Sequence, residues 1–257
     1  MKIAALQMDL TWHDRVANFK KAQAMAAAAK AAGVDLIVLP ETFATGFSMD
    51  ASFTAETLDG PTPAFLRSLA RDLKTAVIGG FVLKQSGSKP YNVALAVDRN
   101  GADLALYAKI HLVGILGETE AHAPGSRPIV FQWEGIRIGC FICYDLRFPE
   151  LFAPQAEQCD LMIVIASWPE MRQKHWDLLL QARAIENQCF LVGVNRVGQG
   201  GGYSFRGGSA IINPLGEILA HGADRETVVM ATIDPDQAAR VRTTLPFLKD
   251  RRPELYK

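Results

Sequence analysis

Cys143 is the residue best placed to do chemistry. It lies in the run GCFICYDLRFPE, residues 139–150, where a strand-like apolar stretch ends and Pro149 suits the first turn of a helix. A thiol at the carboxyl end of a strand in an open α/β sheet faces the crevice where such folds bind ligands, and a turn there can present it as a nucleophile. The competing reading makes Cys143 a small core residue, because free cysteine is often buried. Glu41 ends a second apolar run, LIVLPET. A carboxylate just beyond such a strand is set to have its pKa raised by desolvation, as a general base near neutral pH requires; otherwise it opens a loop or caps a helix. Lys109 stands in YAKIHLVG, with His111 two residues on and so on the same face of an extended segment. A lysine there stabilises an oxyanion, unless it is merely solvated.

Other chemistries find less support. Cys140 and Cys143 spell C-x-x-C, but positions three apart on a strand point to opposite faces, which disfavours a local disulfide. Cys159 and Cys189 adjoin apolar runs and read as core, and the five histidines show no ligand spacing, so no metal is expected. No G-x-x-x-x-G-K-[ST], G-x-G-x-x-G or G-x-S-x-G run occurs, and no cofactor is expected.

The elements that must position these residues can be read from periodicity. Apolar runs rich in Val, Ile and Leu at 3–8, 36–39, 76–82, 92–97, 136–143, 161–166, 190–194, 209–212 and 228–233 predict strands. Several are apolar at every residue, as in LMIVIA, the pattern of strands buried on both faces. Helices are predicted at 15–32, 63–73, 149–158, 175–188 and 234–241, the first ending at Gly33. This mostly alternating order predicts an α/β fold in layers. The glycine cluster at 198–202 reads as a loop between strands, and 1–257 reads as one domain with a C-terminal tail from about residue 246.

Composition narrows the function class. The chain has 257 residues, 49% hydrophobic and 21% charged, as in ordinary globular proteins. Lysine plus arginine and aspartate plus glutamate are 27 each, so the formal net charge is zero and the basic footprint of a nucleic-acid binder is missing. Uncharged stretches are about half of the roughly 20 residues a membrane span needs, and no membrane association is expected. The first apolar stretch ends at Asp9, too short for a signal peptide, and four cysteines are too few to demand a disulfide framework. A cytoplasmic setting with reduced thiols is the expectation.

Taken together and in this order, LPET, YAKIHLV and CYDLRFPE resemble the nitrilase superfamily of carbon–nitrogen hydrolases, as do the spacings of 68 residues from Glu41 to Lys109 and 34 from Lys109 to Cys143. The likeness runs nearly end to end, through AALQMD, GGSAIINPLGE and the tail PFLKDRRPELY. It implies a four-layer αββα sandwich and pairing into homodimers or higher homo-oligomers. CYDLRFPE is similar to the amidase side of the superfamily, and the stretch from Ser167 to Gly198 resembles the ω-amidase branch, which deaminates 2-oxoglutaramate and 2-oxosuccinamate. The superfamily's second glutamate maps onto Glu118 in GETEAHAPG, with Glu120 as its competitor.

The resemblance implies that Cys143 attacks an amide carbonyl, that Glu41 moves the proton to the leaving ammonia, and that Lys109 with the N–H after Cys143 holds the oxyanion. Water then hydrolyses the thioester. Ionised Glu41 and Glu118 with protonated Lys109 already sum to minus one. A resting thiolate beside them would face repulsion of about 4 kcal/mol at about 4 Å and an effective dielectric of about 20, so a resting thiol is expected. Phe43, Tyr144 and Trp168 follow strand ends and are candidates to line the substrate pocket. Arg147 is a candidate for a substrate carboxylate, against an ion pair with Glu150. His175 reads as a cap or surface residue, and Arg183 and Glu186 as an intrahelical pair. An N-carbamoyl amino acid amidohydrolase or a nitrilase, a non-enzymatic binding module, and a thiol protease using Cys143 and His111 stand as alternatives.

Overall fold

The structure, a computed structural model, describes residues 1–255. The last two residues of the expected tail, 256–257, lie outside the described residues. Two sheets form the centre. From edge to edge the first runs Thr227–Thr232, Lys2–Gln7, Leu36–Val38, Ala76–Leu83, Tyr91–Val97 and Asp103–Ala108, with Ala55–Glu56 also paired to Ala76–Leu83. The second runs Ile218–His221, Ala210–Ile212, Phe190–Asn195, Leu161–Ala166, Ile136–Ile142 and Val130–Trp133. The middle of each sheet is parallel and its edges antiparallel.

Strand parity builds the layers. Ile3, Ala5, Leu36, Val38, Ala76 and Ile78 point from the first sheet toward the second and join its side chains in one core. Their neighbours Ala4, Leu6, Ile37, Leu39 and Val77 point the other way, onto helices Arg15–Ala31 and Pro61–Leu73. Helix Gln173–Asn187 covers the outer face of the second sheet through Trp176, Leu180 and Ala184. The order is helix, sheet, sheet, helix: the four-layer αββα sandwich. Burying both faces of each sheet is what makes runs such as Leu161–Ala166 apolar at every position.

The nine predicted strands are present, within a residue or so at each end. Four strands that were not predicted, Asp103–Ala108, Val130–Trp133, Ile218–His221 and the short Ala55–Glu56, extend or flank the sheets. The first three are edge strands with one face partly exposed, so they lack a continuous apolar run. The cluster at 198–202 is a hairpin rather than a simple loop: Val197–Gly200 pairs with Tyr203–Arg206, and Gly201 and Gly202 make the turn at positive φ. The helix predicted at 149–158 is a short α-helix, Pro149–Phe152, followed by a 3₁₀ stretch, Ala153–Gln158; Pro154 near its start cannot donate a helical hydrogen bond. The last predicted helix starts three residues later than expected, at Gln237–Thr244.

Candidate active site

The site lies where strands of both sheets end. Cys143 follows strand Ile136–Ile142 and opens the 3₁₀ turn Cys143–Arg147. Its φ is 46°, in the left-handed region that a β-substituted residue enters only under constraint. The constraint is local: the Ile142 N–H donates to Asp145 Oδ2 at 3.0 Å across the turn. The thiol is thereby lifted off the strand line, as in a nucleophile elbow.

Glu41 is carried by the chain leaving strand Leu36–Val38 and is fully buried. Gly80 allows this approach, because a Cβ there would stand 2.9 Å from Glu41 Cα and 2.8 Å from the Thr42 nitrogen. Glu41 Oε2 accepts from the Ser167 N–H at 2.8 Å, a bond that crosses from the first sheet to the end of strand Leu161–Ala166 in the second. Oε1 accepts from Lys109 Nζ at 3.1 Å and from Asn92 Nδ2 at 2.7 Å. Lys109 comes just after strand Asp103–Ala108 and is also fully buried.

Helix Glu118–Ala121 settles which of the two competing glutamates enters the site. Residues two apart on a helix point roughly 200° apart, so one faces in and the other out. Glu118 is buried, with both oxygens 2.9 Å from Lys109 Nζ; Oε1 also accepts from Asn92 Nδ2 at 3.1 Å, and Oε2 from the Val113 N–H at 2.7 Å. Glu120 is exposed and bonds the neighbouring Thr119 hydroxyl. Asn92, which joins both carboxylates, was not singled out by sequence. A lone polar residue heading a strand carries no local mark of a site.

The two carboxylates are driven apart electrostatically. Burial raises the Glu41 pKa; the positive Lys109 opposes this, and the negative Glu118 adds to the rise. Burial also pushes Glu118 upward, but the Lys109 charge and its hydrogen bonds, with those from Val113 and Asn92, hold it below its usual range. Burial alone would lower Lys109, yet the charges of Glu41 and Glu118 raise it and keep it cationic. Burial first, and then Glu41, push the Cys143 thiol well above its usual value, with Lys109 only partly offsetting them. These influences favour the thiol over the thiolate in the resting site. Burial lowers His122, which lies 4.0 Å from Glu118, so it adds no positive charge near neutral pH.

A cavity of about 220 Å³ opens from Cys143. Phe47, Val113, Ile115 and Leu116 contribute apolar lining, and Arg147, Arg172 and His175 basic lining; among the described residues no Asp or Glu lines it. Tyr144 and Trp168, two of the residues singled out from sequence, line this cavity. Phe43 does not. Thr42 has a φ of 43° and its carbonyl accepts from the N–H groups of both Thr45 and Gly46, so the chain turns. Phe43 is carried into the helix layer beside Phe19 and Phe65, while Phe47 comes back to within 5.1 Å of Lys109 Nζ.

Arg147 makes no ion pair with Glu150. Its guanidinium lies over the Trp168 ring at 4.6 Å, and Nη1 is 3.2 Å from His175 Nδ1. His175 lines the cavity from an exposed position in the first turn of helix Gln173–Asn187, so it is a surface residue, as expected, and part of the cavity rim. Trp168 is fixed by Asn195, which accepts from its N–H at 2.8 Å, and by its own indole N–H donating to the Arg172 carbonyl at 2.9 Å. Arg196 is buried but does not line the cavity; it donates to the carbonyls of Leu10 and Gln199. Arg183 pairs with Glu186 at 2.9 Å, and also donates to the Leu146 carbonyl. His111 bonds Asp145 and stacks on Phe148 at 3.8 Å, outside the wall of the Cys143 cavity. All four cysteines are free and buried. Among the described residues, no group of three or more His, Cys, Asp and Glu could hold a metal ion, and no helix is long and apolar enough to cross a membrane.

The family model for carbon–nitrogen hydrolases matches residues 2–243. The chain belongs to the carbon–nitrogen hydrolase family. Among its relatives, the 2-oxoglutaramate amidase of Bacillus subtilis (strain 168) is 33% identical over 256 residues, covering 99% of this chain and 98% of the relative. An omega-amidase of Escherichia coli (strain K12) is 37% identical over 246 residues, covering 95% and 90%. A carbon–nitrogen hydrolase superfamily protein from Xanthomonas campestris, solved with an arsenic adduct in its active site, superposes with a TM-score of 0.92 at 36% identity, covering 98% of this chain and 97% of the other. This carbon–nitrogen hydrolase accordingly shares its αββα architecture with a solved member of the family along nearly the whole chain.

Proposed function

We propose that this chain hydrolyses small linear amides to carboxylate and ammonia, acting as an ω-amidase on 2-oxoglutaramate and 2-oxosuccinamate. The observation that carries the reading is one cavity lined by both a nucleophile and a cation. Cys143 lines it, beside the Glu41–Lys109–Glu118 cluster, and so does Arg147, which has no carboxylate partner among the described residues. The relatives of Bacillus subtilis and Escherichia coli support the substrate class through their names.

In this reading Cys143 Sγ attacks the amide carbon while Glu41 takes the thiol proton, so the nucleophile forms only as it reacts. The developing oxyanion is held by Lys109 Nζ and the Tyr144 N–H. As the carbon–nitrogen bond breaks, Glu41 gives its proton to the nitrogen and ammonia leaves a thioester. A water, deprotonated by Glu41, attacks the thioester, and the proton returns to the departing thiolate. Glu118 stays ionised throughout and keeps Lys109 charged. A raised pKa for Glu41 and a lowered one for Glu118 suit this division of labour. Arg147, over the Trp168 ring, offers guanidinium donors to the substrate carboxylate.

The chain is further read as one domain that pairs into homodimers or larger homo-oligomers in the cytoplasm. Four free cysteines support a reducing setting. Leu178 and Ile185 on helix Gln173–Asn187, 57% and 52% exposed, support pairing through that helix. The test of function is ammonia release from 2-oxoglutaramate by wild type and by Cys143→Ala. Turnover that is lost in the variant is expected; turnover that survives in the variant overturns the nucleophile, and none by wild type overturns the substrate.

A further inference from the structure

One fully buried carboxylate takes no part in the chemistry just described. Asp145, two residues after Cys143, has no exposed surface, and its two oxygens accept four hydrogen bonds. Oδ2 accepts from the Ile142 N–H at 3.0 Å and from the Tyr107 hydroxyl at 2.7 Å. Oδ1 lies 2.9 Å from both the N–H and the ring Nδ1 of His111. These partners fall into two groups. Ile142 belongs to the elbow that carries Cys143. Tyr107, in strand Asp103–Ala108, and His111, in the bend after it, flank Lys109 at two residues on either side. The bonds therefore tie the turn of the nucleophile, in the second sheet, to the segment of the lysine, at the edge of the first.

We infer that Asp145 is a positioning residue that sets the register of Lys109 against Cys143, and with it the placement of the oxyanion donor relative to the attacking sulfur. A buried carboxylate needs hydrogen bonds to both oxygens, and here the donors come from the two elements whose relative placement the reaction depends on. Each oxygen faces a backbone N–H, so an asparagine must set its amide N–H₂ against a donor in either orientation and cannot replace the acid. The inference rests on the roles proposed above for Cys143 and Lys109.

The test is steady-state kinetics of Asp145→Asn, with the melting temperature and the stoichiometry of Cys143 alkylation by iodoacetamide measured alongside. Misplacement of reacting groups by about 1 Å costs about 10²-fold. We expect kcat to fall by about that factor, with KM held within about twofold and one alkylatable Cys143 per folded chain. Tyr107→Phe removes one of the bonds on the lysine side, leaves those of His111, and serves if Asp145→Asn does not fold. It should lower kcat several-fold with the same signature, and in the Asp145→Asn background it should add nothing. A kcat within about twofold of wild type in Tyr107→Phe and Asp145→Asn overturns the inference. So does a loss of kcat matched by an equal loss of folded chain, or fully additive effects of the two substitutions. Turnover by Cys143→Ala would instead sink the catalytic reading itself, so the two failures are distinguishable.

Discussion

Replacing Glu118 by glutamine probes the electrostatic division between the two glutamates. Glu41 and Glu118 both accept from Asn92 Nδ2, at 2.7 and 3.1 Å, and both contact Lys109 Nζ. Sharing both donors keeps the two carboxylates close, and two like charges at about 5 Å and an effective dielectric of about 20 repel by about 3 kcal/mol. Glu118 is one cause of the raised Glu41 pKa, so removing its charge must lower Glu41. At about 1.4 kcal/mol per pH unit the fall is at most about two units. A base that must be ionised to act keeps its activity to lower pH when its pKa falls. The acid limb of kcat/KM therefore moves down in Glu118→Gln, by up to about two pH units. The neutral amide also sets an N–H₂ group against Lys109 and either Asn92 or Val113. One buried donor left unpaired costs about 1–3 kcal/mol, or about 5- to 150-fold if it is expressed in the transition state. The assay is ammonia release between about pH 4 and 9, fitted for kcat/KM at each pH. Activity close to wild type with an unmoved acid limb would refute the role of Glu118. An acid limb that moved upward would refute the charge argument even if activity fell.

Arg147→Met should raise KM for 2-oxoglutaramate by about 10- to 100-fold, since hydrogen bonds to charged groups contribute about 1.5–3 kcal/mol. A neutral amide of similar length should show almost no change; equal effects on both substrates would remove the carboxylate role. Cys143 alkylation followed against pH should show no reactive plateau below about pH 6, because the buried thiol beside two carboxylates has its pKa raised, not lowered. Gly80→Ala should cost about 1–3 kcal/mol of stability through overpacking. It should also depress kcat, because the new methyl would press on Glu41 and Thr42; an unchanged melting temperature and kcat would show that the backbone there gives way freely.

Much of this protein was written in its sequence. Cys143, Glu41 and Lys109 each follow a stretch of strand and sit in motifs specific enough to suggest a family. Burial of both faces of the inner strands left apolar runs that mark them directly. Glu118 and Glu120 were both legible as candidates, and helical rotation alone decided between them. Tertiary structure decided what depends on long-range geometry. The turn at Thr42 sends Phe43 into the helix layer and brings Phe47 to the site, a reversal that residue type does not announce. Edge strands with one wet face lose the apolar signature that inner strands keep. Asn92, Asp145 and His175 look locally like any polar residue in a strand, a turn or the first turn of a helix. They acquire meaning from partners 26 to 51 residues away, across sheets whose packing brings those partners within hydrogen-bond reach. Sequence pattern records which groups are buried and where a strand stops. Which buried groups face one another is set by how the two sheets stack, and that stacking turns four scattered side chains into one site.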